Sequence, residues 1–399
     1  MTTTEKQETG TATEAPRWCR TELGRRAWHV GATVAGPCAA AVDRDGRFPA
    51  EATEAMRSSG LLGAMVPVDS GGEGASLAEV SDSIRAMAAH CASSALVLAM
   101  HQIEVAYLIH HGRTDALQGL LRQVATGSVL MANANSEVGL GGDVGRSRCG
   151  LEHRDGWVHL EKDVLALSYA EYADAITVNT RRDTDAAETD QVMLICGPGS
   201  FTVEATGVWD TLGLRGTCSS GYRLVADERE DMVLTDTWST VVNRTGLAAT
   251  AATLNSVWLG IAESAAATAH ASVRAEARRN IGSAPPGALR LAELVVVLGQ
   301  ARAVLADTIA HIEAVGSGAD MEDDLALVLE MRDLKLSMTT LCADVVLRAL
   351  SVCGLSGYKR DATFSVERNV RDVLGGQLMA NNNRFYVDNA QLLAMVKRF

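Results

Sequence analysis

Aromatic residues are scarce: Phe, Trp and Tyr make up 4% of the 399 residues. Beside abundant Ala, Leu and Val, this scarcity points to helices packed on helices. Basic charge is in deficit, with 36 Lys and Arg against 49 Asp and Glu and a formal net charge of −13. A surface for nucleic acid or an anionic membrane needs clustered Lys and Arg, so neither partner is expected. No uninterrupted apolar run approaches the ~18 residues of a membrane-spanning helix, so no such segment is expected. No two of the eight cysteines are spaced C-x-x-C, which argues against a zinc ribbon or a thioredoxin motif. Several lie in apolar segments, as buried free thiols do, and a reducing, cytoplasmic compartment is expected. Residues 1–17 are rich in Thr and Glu and lack an apolar stretch; they read as a disordered tail rather than a secretory signal.

The remaining length suits roughly two or three domains at ~100–200 residues each. At 47% hydrophobic and 21% charged residues, the composition is that of a globular protein. Three blocks follow the tail: helical over 18–127, β over 128–237, and helical again over 238–399. In the first, Ser76 opens a helix with Glu79 as its capping-box partner, and Val80, Ile84, Met87 and Ala88 recur at helical spacing. In the second, residues 157–161, 175–180 and 191–195 alternate and are β-branched, as strands are. In the third, residues 248–279 run without proline. Leu291, Leu294, Val295, Leu298, Ala301, Val304, Leu305, Ile309 and Ile312 make one apolar stripe. Leu327, Met331, Leu334, Met338, Leu341 and Val345 make another. Long helices with short connections predict a four-helix bundle.

Five segments carry a resemblance. They are Gly60-Leu61-Leu62-Gly63 through Pro67 to Gly71-Gly72-Glu73-Gly74; Ser136-Glu137-Val138-Gly139-Leu140-Gly141-Gly142-Asp143; Gly213-Leu214-Arg215-Gly216-Thr217; Arg278-Arg279-Asn280-Ile281-Gly282; and Val366-Glu367-Arg368 with Arg371-Asp372. In this order they resemble the acyl-CoA dehydrogenase superfamily of flavoproteins. The resemblance implies a mostly α chain with a central β domain: an N-terminal helical domain, a middle β-barrel-like domain and a C-terminal four-helix bundle. It also implies bound FAD and a homo-oligomer, usually a tetramer, otherwise a dimer. Glycines at 139, 141 and 142 would let a loop backbone approach a cofactor, although the same residues could form a plain turn. The cofactor-binding residues it implies are Ser136, Gly139, Gly141, Gly142, Ala166, Ser168, Arg278, Asn280, Gly354 and Asn382. Arg278 and Asn280 belong to the segment that in the family meets FAD across a subunit interface. On the substrate side it implies Met100, Glu104, Arg215, Met379, Ala380 and Asn381.

The sequence departs from the family where the chemistry is concentrated. The family's reaction, α,β-desaturation of an acyl thioester, needs a carboxylate base within hydrogen-bond reach of the substrate. The matching position is Ala380, and the alternative region, residues 247–254, holds no acid. The aromatic and hydroxyl positions after Lys162 are Val164 and Ala166, unless Ser168 serves after a two-residue slip. The adenine-side glutamine is absent around Gly354. His101 falls in the helix that lines the family's acyl pocket, and a histidine can act as base or acid near neutral pH, so it is the candidate catalytic residue. Adjacent His110 and His111 point in different directions on a helix, so no metal site is expected.

Three functions remain open. The first is oxidation of an acyl thioester, on CoA or an acyl carrier protein, with a non-standard base and in a specialised biosynthetic pathway. The second is a flavin monooxygenase, hydroxylating or N-oxidising a small molecule with reduced flavin and O2, its flavin supplied by a separate flavin reductase. The third is a non-redox role on a degenerate site.

Overall fold

The computed structural model describes residues 14–316 and 324–395. Residues 1–13, most of the expected tail, lie outside the described residues.

The N-terminal part packs α1 (Glu22–Val30), α2 (Gly36–Asp45), α3 (Ala50–Ser58), α4 (Leu77–Ala88), α5 (Ala92–His111) and α6 (Asp115–Ala125). The capping box at Ser76 and Glu79 forms as expected, and Val80, Ile84, Met87 and Ala88 are all buried. Eight strands follow: β1 (Met131–Asn133), β2 (Glu152–Arg154), β3 (Trp157–Val164), β4 (Ala175–Arg181), β5 (Gln191–Cys196), β6 (Phe201–Ala205), β7 (Tyr222–Arg229) and β8 (Val233–Thr237). They form two four-stranded sheets, ordered β1-β4-β5-β8 and β2-β3-β7-β6. The barrel-like middle domain is therefore two separate sheets. The first is buried on both faces at β4 and β5, whereas β3 and β7 alternate buried and exposed positions.

A short α7 (Trp238–Val241) leads through a π-turn into α8 (Leu247–Arg279). Then come α9 (Ala288–Val315), α10 (Leu325–Tyr358), α11 (Glu367–Leu378) and α12 (Asn382–Leu393). Helix α8 is the hub, packed against α4, α5, α9, α10 and α11. Both expected stripes exist. Met331, Leu334, Met338 and Val345 are buried on α10, as are Leu294, Leu298, Leu305 and Ile309 on α9. Val295 and Val304 depart from the expected stripe: they are 53% and 37% exposed on the outer face of α9.

Helices α5 and α10 are, by length and composition, apolar enough to cross a membrane, although neither sequence is an unbroken apolar run. In α5 the apolarity is accounted for by burial of 94% of its most apolar window inside the protein.

Candidate active site

The glycine loop leaves β1 and is fixed from below. The Val138 amide donates to Asp163 O at 3.0 Å. Glu137, buried, accepts the Ser147 hydroxyl at 2.8 Å and the Arg148 amide at 3.0 Å. Lys162 Nζ lies 4.0 Å from the Glu137 carboxylate and donates to Asn179 O and Oδ1 at 2.6 and 2.9 Å. Burial pulls the Lys162 amine down to about 8. Trp238 Nε1 and Asn179 Nδ2 both donate to Val144 O, at 2.8 and 3.2 Å.

The upper side of the loop is open. Gly139, Gly141 and Gly142 have φ of +85°, +60° and +79°, a region that favours glycine. A Cβ on Gly141 or Gly142 would meet nothing within 4 Å. The amides of these three glycines donate to no acceptor among the described residues. Three free N–H groups on a left-handed backbone make a concavity suited to an anion.

Two loops of the β domain border this one. The Ser136 hydroxyl donates to Ala166 O and accepts the Ala166 amide, both at 3.0 Å. Ser136 thus ties two loops together with the hydroxyl that was expected to face a cofactor. Ser168 is turned inward. Its Oγ lies 2.7 Å from Ser219 Oγ, which lies 2.8 Å from Thr217 Oγ1, which donates to Leu214 O at 2.9 Å. The two-residue slip that would make Ser168 the cofactor's hydroxyl partner is therefore not supported by its contacts. Tyr169, Leu214 and Cys218, around this chain of hydroxyls, have φ of +43°, +53° and +47°. Such backbone strain in non-glycine residues gathers at functional sites.

Arg215 was expected on the substrate side. Instead its guanidinium donates to Asp43 O, Asp210 and Thr211 O at 2.7–2.8 Å. Arg371 of α11 pairs with the Asp43 carboxylate at 2.6 Å and donates to Leu212 O at 2.9 Å. The buried Asp372 accepts the Leu214 amide at 2.7 Å, and burial lifts its carboxyl to about 6. Arg215 is thus one pin in a network joining α2, the 210–217 loop and α11, which corrects its assignment to substrate.

The loop between α11 and α12 faces the glycine loop. Arg384 donates to Gly142 O at 2.6 Å and to Asp143 at 2.5 Å, a bond between residues 241 positions apart. Ala380, at the position of the missing acid, has φ +51°. Its carbonyl accepts Lys335 Nζ of α10 at 3.0 Å, and Lys335 also donates to Asn382 Oδ1. Among the described residues no carboxylate pairs with Lys335, and burial lowers its amine to about 8. Asn381 caps α12 by accepting the Asn383 amide at 3.0 Å, and Asn382 donates to Thr339 at 3.1 Å. The side chains of Asn381 and Asn382 are thereby committed to holding the loop, and Met379 is half-buried against the core.

Sequence reasoning misplaced the α5 residues. His101 is 0% exposed. Its Nδ1 accepts the Met131 amide at 3.0 Å, so Nε2 carries the proton and donates to Leu62 O, also at 3.0 Å. Burial drives the ring down to about 4. With both nitrogens bonded to backbone, His101 has none for a substrate, and the expectation of a catalytic histidine is corrected. Met100 and Glu104 are buried beside it. Glu104 accepts Asn133 Nδ2 at 2.8 Å and Thr177 Oγ1 at 2.6 Å, and burial pushes its carboxyl up to about 8. Both Glu104 oxygens are thus committed to side chains of the β domain. His111, set aside as a metal ligand, bridges Asp236 and Thr245 at 2.8 and 2.9 Å.

Arg278, Asn280 and Gly354 do not join the site within this chain. Arg278 and Asn280 are exposed at the end of α8. Gly354 kinks α10 with φ +58°, nineteen residues beyond Lys335, or about 28 Å along a helix. Sequence reasoning also missed Lys335 and Arg384. Lys335 had a signal, a lone cation one helical turn beyond Met331 in an apolar stripe.

Comparison with known proteins places this arrangement. Residues 26–128 match the family model for the acyl-CoA dehydrogenase N-terminal domain and residues 252–383 the one for its C-terminal domain. Cyclohexane-1-carbonyl-CoA dehydrogenase of Geobacter metallireducens is 32% identical over 113 residues, 28% of this chain and 30% of that protein. The chain thus spans under a third of that relative. Amino sugar nitrososynthase DnmZ of Streptomyces peucetius is 26% identical over 373 residues, 89% of this chain and 87% of that protein. Among solved structures, KijD3 in complex with FMN and dTDP-3-amino-2,3,6-trideoxy-4-keto-3-methyl-D-glucose superposes with a TM-score of 0.78 at 25% identity, covering 96% of this chain and 95% of that one.

Proposed function

The chain belongs to the acyl-CoA dehydrogenase family, and on that premise we propose that it is a flavin-dependent monooxygenase, an oxidoreductase that oxygenates a small substrate rather than desaturating an acyl thioester. The observation that carries this reading is the α11–α12 loop. Where the family's chemistry needs a carboxylate, the chain has Ala380, with a lysine amine bonded to its carbonyl. Residues 247–254, now the first turns of α8, hold no acid. His101 is closed off by two backbone bonds. Nothing that these elements present can remove an α-proton as a carboxylate does.

The residues present fit a flavin. The free amides of Gly139, Gly141 and Gly142 and the adjacent Arg384 suit an anionic tail. The Ser136–Ala166 junction suits a planar ring bordered by backbone. Bound reduced flavin, FAD or FMN, supplies the electrons with which oxygen is activated. The chain's own residues bind, orient and shield: the Glu137–Lys162 floor fixes the glycine loop, and Lys335 and Arg384 hold the α11–α12 loop against it. The substrate class we expect is an amino sugar carried on a nucleotide, supported by the likeness to the amino sugar nitrososynthase over nearly the whole chain and to KijD3 with its dTDP-linked amino sugar. A separate flavin reductase would supply the reduced flavin.

We also expect a homo-oligomer. Arg278 and Asn280, exposed at the end of α8, would then serve a partner subunit's flavin, and α9 leaves Leu289 and Val296 73% and 63% exposed. The free cysteines fit a reducing cytoplasm.

One observation favours the second reading, desaturation of a CoA- or carrier-bound acyl thioester with a displaced base. Lys335 is a half-buried amine near the loop that can lose its proton at mildly alkaline pH. Anaerobic addition of a short acyl-CoA to the flavin-loaded protein separates the two. The oxygenase reading expects the visible flavin band to persist, and bleaching would establish the desaturase reading instead.

A further inference from the structure

The exit of the glycine loop is fixed at one atom, the Val144 carbonyl oxygen. It accepts from Trp238 Nε1 at 2.8 Å, Asn179 Nδ2 at 3.2 Å and Gln191 Nε2 at 3.4 Å. Asn179 and Gln191 stand on β4 and β5, within the β domain. Trp238 opens α7, beyond that domain, and makes the shortest of the three bonds. What places Trp238 lies farther from the loop. Two residues before it, on β8, Asp236 accepts His111 Nδ1 at 2.8 Å and Arg113 at 2.9 Å. After α7 comes the π-turn Val242–Gly246, whose Thr245 Oγ1 lies 2.9 Å from His111 Nε2. His111, the last residue of α5 and 3% exposed, therefore grips the chain on both sides of Trp238. One turn earlier on the same helix face, Tyr107 meets the Trp238 ring edge-on, with centroids 6.1 Å apart. Gly246 leaves room for the Tyr107 hydroxyl, which a Cβ there would approach to 2.6 Å.

A carboxylate can only accept, so His111 Nδ1 carries a proton toward Asp236, and Nε2 meets the Thr245 hydroxyl. The two ring nitrogens hold two different segments, and the bond on one fixes the role of the other. The segment they hold contains a π-turn, a feature that gathers near functional sites. We infer that His111 is a positioning residue for the glycine loop, acting through Asp236, Thr245 and Trp238 on the Val144 carbonyl. The loop's usefulness to an anion depends on where its free Gly139, Gly141 and Gly142 amides stand. Donors of this kind work only when their supports hold them in place. The effect on a bound flavin rests on the flavin reading, whereas the coupling of His111 to the loop does not.

Hydrogen exchange of the free full-length protein tests this at the loop amides that are bonded: Val138, Leu140, Asp143, Gly145 and Ser147. Trp238→Phe removes the indole N–H and keeps a ring against Tyr107. It should raise exchange over this segment about tenfold, the equivalent of one buried hydrogen bond. His111→Ala should do the same, and should it fail to fold, Thr245→Val carries the test. That variant removes one hydroxyl at nearly constant shape and should raise loop exchange about threefold. Exchange in α4 and α10 should stay as in wild type. Combining Thr245→Val with Trp238→Phe separates positioning from general damage. Acting through one bond, the pair exchanges no faster than Trp238→Phe alone, whereas independent effects multiply. Multiplied effects, an equal rise in α4 and α10, or unchanged loop exchange in Thr245→Val would each overturn the assignment. An FMN titration of the same proteins should find both single variants binding more weakly than wild type. Equal FMN affinity despite faster loop exchange would overturn the positioning role and leave the flavin reading standing. A wild type that takes no FMN, with the exchange pattern as expected, would overturn the flavin reading and retain the coupling.

Discussion

His101 and Glu104 lie three residues apart on α5, and burial removes charge from both. The histidine falls to about 4 and stays neutral; the carboxyl rises to about 8 and holds its proton at neutral pH. The two respond to pH in opposite directions. A carboxyl with its folded pKa raised stabilises the fold fully below its unfolded value and loses that contribution as pH rises toward 8. Glu104→Gln, whose amide can still meet Asn133 and Thr177, removes this slope. Urea unfolding should therefore find wild type losing stability relative to Glu104→Gln between about pH 4.5 and 8, by on the order of a few kcal/mol. For His101 the sign reverses: its contribution is present above the unfolded value and is lost as pH falls toward 4. His101→Ala orphans the buried Met131 amide, while Leu62 O keeps Gln102 Nε2, so it should cost on the order of 2 kcal/mol of stability. Turnover of the folded variant should persist. Loss of turnover with stability and flavin affinity intact would restore a catalytic role. Neither residue's state was legible in the sequence. Helix α5 is apolar around nearly its whole circumference, so no polar face marks the inside, and a buried histidine reads the same as one lining a pocket.

At the scale of elements, the α11–α12 loop combines a legible and an illegible part. The alanine at position 380 could be read directly. That a cation on another helix holds this loop could not, because Lys335 lies 45 positions before the carbonyl it bonds. The left-handed Ala380 costs roughly 1 kcal/mol or more and persists because its surroundings hold it. Removing the amine by Lys335→Met should loosen the loop. Hydrogen exchange at the Ala380–Asn383 amides should then rise about tenfold, with little change in the core of α8. Unchanged exchange would show that Arg384 and the asparagine caps suffice. Elements defined by local chemistry were readable: the Ser76 capping box and the alternation of β3 follow from neighbours in sequence. The strained turns at Tyr169, Leu214 and Cys218 were not, since three non-glycine residues carry φ values that their side chains do not advertise.

At the scale of the whole molecule, fold and site separate. Five ordered segments sufficed for the architecture because each marks a junction between elements and their order fixes the connectivity. The site depends on pairings such as Arg384 with Gly142, 242 positions apart, which no single segment contains. The outer face of α9 is a further whole-molecule feature. Leu289, Val295 and Val296 are more than half exposed on the outer face of α9, and such an exposed apolar patch marks a surface for a partner. Sedimentation should therefore find an oligomer, and Val296→Glu should shift it toward smaller species and weaken flavin binding, since Arg278 and Asn280 would no longer reach a partner's site. A wild-type monomer with full flavin affinity would refute the shared-site arrangement.

The central claim is that this chain oxygenates with reduced flavin and uses no α-proton base. It is tested most directly by supplying photoreduced FMN, heavy-isotope O2 and a dTDP-linked amino sugar to the purified protein and weighing the product. The account predicts a product heavier by incorporated oxygen, dependent on the protein and on reduced flavin. A product without the heavy isotope, together with an enoyl thioester formed from acyl-CoA under anaerobic conditions, would contradict it.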